Sequence, residues 1–106
     1  MDKGAKAVRL ADQIRDHLAA WIIKDFPGCL VSVVQVQLSE NLQRATVWIE
    51  AFDEPAKDAF NRIRKQDRKY QAQLYRELGR RAIPAISFRL SHLNEEDERL
   101  QRLLKS

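Results

Sequence analysis

Two stretches that alternate apolar and polar residues, LVSVVQVQL at 30–38, rich in valine, and QRATVWIEAF at 43–52, are separated by only four residues. Both alternate with a period of two, which predicts half-buried strands joined as an antiparallel hairpin. In the first, Val34, Val36 and Leu38 share one face while Gln35 and Gln37 take the other. In the second, Ala45, Val47, Ile49 and Ala51 oppose Arg44, Thr46, Trp48 and Glu50. The link Ser39-Glu40-Asn41-Leu42 predicts the turn, with Asn41 suited to a positive φ. A lone hairpin is marginal in water, so the rest of the chain must cover its apolar face.

Helical patterns flank the hairpin. Over residues 6–24, Ile14, Leu18, Trp21 and Ile22 fall at helical spacing, with Val8, Leu10 and Ala11 continuing the stripe upstream. Pro27-Gly28 ends that helix. Asp53-Glu54-Pro55 is a helix-start signal, an acidic cap with Pro in the first turn. The stripe that follows is Phe60, Ile63, Tyr70, Leu74 and Leu78. Its seven-residue step places Gln66 and Asp67 where an unbroken helix would face the core. The expected remedy is a kink near residues 66–68; the alternative is that Asp67 meets a basic neighbour, Arg64 or Lys69. Gly79 and the approach to Pro84 end the helix, and IPAISFRL at 83–90 predicts a third strand with Ile86, Phe88 and Leu90 inward. Asn94 opens a short final helix to Lys105, with acids in its first turn. The order α-β-β-α-(kink)-α-β, plus the short C-terminal helix, describes a single α+β domain over residues 1–106.

The charge is unevenly distributed. The chain carries a net +4, yet residues 62–89 hold nine basic and two acidic side chains, and the remaining 78 residues are net −3. Arg62, Lys65, Arg68, Lys69, Arg76 and Arg80 lie opposite or beside the apolar stripe, which predicts a basic outer face. Such a face is either merely solvated or a site for a phosphate backbone, where several cations displace counterions together.

Catalytic chemistry is not expected. His17 and His92 have no partners at ligand spacing, and one cysteine cannot complete a zinc set. Cys29 beside a Pro-Gly turn is expected to be a small packed residue, and it excludes an internal disulfide. The acids Glu95 to Glu98 are explained by helix-start electrostatics. The three glycines, Gly4, Gly28 and Gly79, are too scattered for a phosphate loop. No cofactor, metal or small-molecule substrate is expected. With no apolar run near membrane-spanning length and no signal peptide in view, the expected address is the cytoplasm. Trp48 and Phe52 on the outward strand face suggest either base stacking or packing under the terminal helix or at a sheet edge, and Tyr75 lies off the apolar stripe near Arg68.

The segments VQVQLSENLQRATVWI and LYRELGRRAIPAISFRLS, in this order after a helix ending Lys24-Asp25 and a Pro turn, resemble the bacterial ribosome-binding factor A family. The resemblance runs over about residues 8–104. It implies a type II KH-like fold, no catalytic activity, and binding to 16S rRNA during late maturation of the small (30S) ribosomal subunit, often linked to growth in the cold. It also implies an interrupted helix with an Ala-x-Gly kink, which falls here on Gln66-Asp67-Arg68. The chain departs from the family pattern at Gln66 and Arg68, and also at Asn41, at Gln71 in place of an Arg, at Ser91 in place of an Asp, and in lacking a basic tail. The expected phosphate contacts are Arg62, Lys65, Arg68, Lys69, Arg76 and Arg80, with Arg81 and Arg89 at the groove edge. A monomer is expected. The competing readings are a KH-like RNA binder acting outside the ribosome and a protein-interaction module with an acidic partner.

Overall fold

The computed structural model describes residues 2–79 and 83–91, with side chains from residue 6 onward. Six elements follow one another: α1 (Asp2–Asp25), β1 (Val31–Leu38), β2 (Arg44–Ala51), α2 (Glu54–Lys65), α3 (Asp67–Leu78) and β3 (Ala85–Leu90). The sheet order is β1-β2-β3, with β1 antiparallel and β3 parallel to the central β2. A parallel neighbour requires a crossover connection, and α2 and α3 supply it. The expected C-terminal helix over 94–105 lies outside the described residues.

α1 buries Leu10, Ile14, Leu18 and Ile22, a strict i, i+4 stripe, against the inner sheet face. Val8 does not join it and is 63% exposed, because its spacing to Ile14 turns it away from the stripe. After Phe26 the chain turns through Gly28, whose φ of +79° explains a glycine there.

The hairpin forms where expected, with two corrections. A bulge between Val33 and Gln35 breaks the alternation of β1. Val31 and Val33 pair with Ala51 and Ile49, and beyond the bulge Val36 and Leu38 pair with Val47 and Ala45. The extra residue is Val34, which is exposed rather than inward, and Val33 packs against the core instead. In the turn, the residue with positive φ is Leu42, at +59°, and not Asn41. Asn41 acts through its side chain: its Oδ1 accepts from Ser39 Oγ at 2.7 Å and from Gln43 N at 3.1 Å. The Arg44 amide donates to Ser39 Oγ at 3.0 Å. With both polar side chains used as acceptors for the turn, the left-handed position passes to the next residue.

α2 starts as its sequence indicates. Asp53 is extended and its Oδ1 accepts from Ala56 N at 2.8 Å, with Pro55 in the first turn. Ala56, Ala59, Phe60 and Ile63 are buried. The helix then breaks at Gln66, whose φ and ψ of −104° and 22° lie outside the helical region. The Gln66 amide reaches back to Ile63 O at 3.0 Å, and its carbonyl accepts from Tyr70 N at 3.1 Å, so one residue closes α2 and opens α3. Gln66 and Asp67 are consequently half-buried at the rim instead of inside the core. Asp67 meets neither Arg64 nor Lys69; its Oδ1 accepts from the Arg68 amide at 2.7 Å. On β3, Ile86 and Phe88 are buried and Ser87 and Arg89 exposed, as the alternation predicts.

Candidate nucleic-acid interface

The outer surfaces of α2 and α3 meet around the break at Gln66. Arg62, Arg64 and Lys65 on α2 and Arg68 and Arg76 on α3 are all exposed, and none forms an ion pair among the described residues. Their apolar counterparts on the same helices, Phe60, Ile63, Tyr70 and Leu74, are buried. The basic side chains therefore lie outside an element whose inner face is anchored in the core. Arg64, two positions after Arg62 on a regular helix, is exposed on a different side of α2.

Lys69 behaves differently from the other five. Its Nζ lies 3.3 Å from Asp25 Oδ2 and 5.5 Å from the centre of the Tyr70 ring. The same Asp25 oxygen accepts the Tyr70 hydroxyl at 2.9 Å. That hydroxyl, and then Lys69, hold the Asp25 carboxyl below its ordinary pKa against the opposing effect of burial. Burial and the facing carboxylate together push the Tyr70 hydroxyl well above its ordinary value. Lys69 thus already has a carboxylate partner and ties the start of α3 to the end of α1. Trp21 supports the same junction, stacked on Tyr70 at 6.4 Å and on His17 at 5.4 Å, and Tyr70 meets the edge of Phe88 at 5.9 Å.

Arg89 alternates with the buried Phe88 and projects from the outer sheet face, beside Trp48 in the strand register. The structure does not bring it to the helical face. Trp48 is half-buried there and donates to Gln37 Oε1 at 3.4 Å, while Phe52 is 55% exposed. Arg80 and Arg81 lie outside the described residues.

A groove of about 810 Å³ runs between α3 and the first half of β3. Arg68, Ala72 and Arg76, at i, i+4 and i+8, present one side of α3 to it, and Ile83, Ala85 and Ile86 form the other wall. Tyr75 lines it and is 52% exposed. Gln71 spans the two walls. Its Nε2 donates to Ile83 O at 3.2 Å and to Pro84 O at 2.8 Å, and its Oε1 accepts from Ile86 N at 2.9 Å. This role could not be read from the sequence, where Gln71 is only a polar residue beside the apolar stripe. Tyr75 did leave a signal, as an aromatic residue on the basic side of its helix.

Among the described residues no group of three or more His, Cys, Asp and Glu could hold a metal ion. No helix there is long and apolar enough to cross a membrane. Cys29 is half-buried.

Comparison with known proteins gives a consistent result. The chain is 30% identical over 112 aligned positions, covering 98% of it and 81% of the relative, to the ribosome-binding factor A of Bdellovibrio bacteriovorus. Its fold matches the crystal structure of ribosome-binding factor A from Thermus thermophilus with a TM-score of 0.67 and 28% identity, over 79% of this chain and 94% of that one. A homology model of the Thermus thermophilus factor, fitted into a cryo-electron microscopy map of a 30S complex, matches with a TM-score of 0.60 and 28% identity, over 76% and 90% of the two chains. The family model for ribosome-binding factor A matches residues 6–104. With the α-β-β-α-α-β order and the helix break already in place, this chain belongs to the ribosome-binding factor A family.

Proposed function

We propose that the protein is a non-catalytic maturation factor of the small ribosomal subunit, which it grips through the phosphates of 16S rRNA. The observation that carries this reading is the set of exposed cations that form no ion pair among the described residues, on either side of the α2–α3 break: Arg62, Arg64, Lys65, Arg68 and Arg76. Several cations on one rigid surface release condensed counterions together, which gives affinity without base identity and a steep dependence on salt. The related Thermus thermophilus factor, placed in a map of a 30S complex, supports the choice of partner. Lys69 contributes less to the grip than its neighbours because Asp25 already holds it. Arg80 and Arg81, which follow Gly79 in the sequence, belong to the same proposed set of phosphate contacts, whereas Arg89 projects from the outer sheet face. A monomer acting in the cytoplasm, without cofactor, fits this reading.

Sucrose-gradient sedimentation with purified ribosomal subunits at two salt concentrations tests it. The protein should travel with free 30S subunits at low salt and be released at high salt. The variant with Lys65→Glu and Arg68→Glu should remain at the top of the gradient while its thermal midpoint stays within a few degrees. Equal co-sedimentation of that variant would remove the assignment of the face. Recovery with RNA not enriched in 16S would instead favour an RNA-binding module acting outside the ribosome. Association that survives ribonuclease would favour an acidic protein partner.

A further inference from the structure

Two large apolar side chains that remain exposed, Leu30 at 57% and Phe52 at 55%, are neighbours. The Phe52 amide donates to Leu30 O at 3.1 Å, which continues the β1–β2 ladder one pair beyond Val31 and Ala51. Cross-strand partners share a face, with Cβ atoms about 4.5–5.5 Å apart. Val31 packs against the core, so Leu30 and Phe52 project from the opposite, outer face of the sheet. The helices bury their apolar stripes on the inner face, while Ser32, Gln35, Gln37, Ser87 and Arg89 along the outer one are exposed. A single exposed apolar residue is ordinary; an adjoining pair with an aromatic member has the makings of a contact. The surrounding charges say with what. Glu50 occupies the next outward position of β2, and the exposed Asp53 and Glu54 follow Phe52 directly. Asp58, also exposed, lies one turn further along α2, and the cation between these acids, Lys57, is paired with Glu54 at 3.4 Å. Arg89 stands beside Trp48, about 13 Å along the strand from Phe52. α2 then runs from these acids to Arg62, Arg64 and Lys65, so one rigid helix carries opposite charge at ends about 16 Å apart.

We propose that Leu30 and Phe52, within this acidic rim, dock a cationic, amphipathic segment of a basic protein of the small subunit. Apolar side chains of the segment cover Leu30 and Phe52, and its Lys and Arg residues face Glu50, Asp53 and Glu54. The rim repels a phosphate backbone and attracts a cationic chain. A cation-rich segment suits both of its neighbours there, the carboxylates of the rim and the phosphates held at the far end of α2. The proposal rests on the subunit-binding reading above and adds to it a protein contact on a separate face.

Photocrosslinking of the full chain on free 30S subunits tests it, with p-benzoylphenylalanine in place of Phe52 and, in a second protein, in place of Lys65. On illumination the probe at position 52 should join a subunit protein, within a Lys- and Arg-rich segment identified by mass spectrometry. The probe at position 65 should join 16S rRNA. Affinity for 30S measured across salt concentrations gives a second readout. The double variant Leu30→Ala with Phe52→Ala should bind about tenfold more weakly at every salt concentration, with the steepness unchanged. Lys65→Glu should instead flatten the salt dependence. Both apolar residues are exposed, so the double variant should melt within a few degrees of wild type. The proposal is overturned by a crosslink from position 52 to rRNA, to a second copy of the chain or to residues 92–106, and equally by undiminished affinity of the double variant. If position 65 reaches rRNA while position 52 reaches nothing, the docking surface is removed and the functional reading stands. Absence of 30S binding altogether would remove the two together.

Discussion

Between Leu38 and Arg44 the chain reverses direction, and it holds the reversal with side chains from within the reversal itself. Ser39 and Asn41 accept from groups two to five positions away. At Gln66 the chain also departs from regular structure, but no side chain caps the start of α3 there. The new direction is instead set by Tyr70, which reaches Asp25 across 45 positions of sequence, and by Gln71, which reaches β3 across 12 to 15. One irregularity is local and solvated; the other is secured by distant partners. The difference matters for function, because the exposed cations and the groove are arranged around the second one.

The largest effect that would expose this difference comes from Tyr70, whose ring is fully buried between Trp21 and Phe88. Tyr70→Ala should cost about 3–5 kcal/mol, a fall of more than about 12 °C in the thermal midpoint by calorimetry or circular dichroism. A loss below about 1 kcal/mol would mean that α3 is positioned by something other than this junction.

A smaller effect should appear with acid. Asp25 has a folded pKa below its ordinary 3.8, so its contribution is fully present above that value and is lost as pH falls through the depressed folded value. The Tyr70 hydroxyl, raised above its ordinary 10.0, contributes below that value and loses its effect only as pH climbs through its own folded pKa. The junction is therefore at full strength between these two ordinary values. Denaturant melts across the acid range should show Asp25→Asn less stable than wild type at neutral pH and closer to it below pH 3.8. Parallel curves across that range would remove Asp25 from the junction.

The smallest change belongs to the turn. Asn41→Ala removes an exposed local acceptor and should cost only about 0.5–1 kcal/mol, leaving 30S co-sedimentation unaltered. A loss of binding in that variant would show that the local turn and the basic surface are not independent.

Much of the architecture was legible because it depends on neighbours in sequence. Alternation marked the strands, Asp53 and Pro55 marked the start of α2, and the polar pair Gln66-Asp67 within an apolar stripe marked the break. The misplaced residues have physical causes that a period cannot register. A single bulge reversed the facing of Val34 and brought in Val33, and the use of Asn41 as an acceptor shifted the left-handed position to Leu42. The candidate site was legible only as a charge pattern, which marked Arg62, Lys65, Arg68 and Arg76 as outward-facing, and each of them is exposed. The pattern could not show that Lys69 is held by Asp25 or that Arg89 belongs to the opposite face of the sheet.

By itself, the order of residues determined the strands, the helices, the place of the break and the sign of the surface around it. These follow from side chains three, four or two positions apart, whose geometry is set by helix and strand periods. Tertiary structure alone decided which cations form no ion pair among the described residues, which edge of the sheet Gln71 covers and where a groove opens beside Tyr75. Each of those depends on hydrogen bonds and contacts between groups far apart in sequence, and only the packed fold brings such groups within reach of each other.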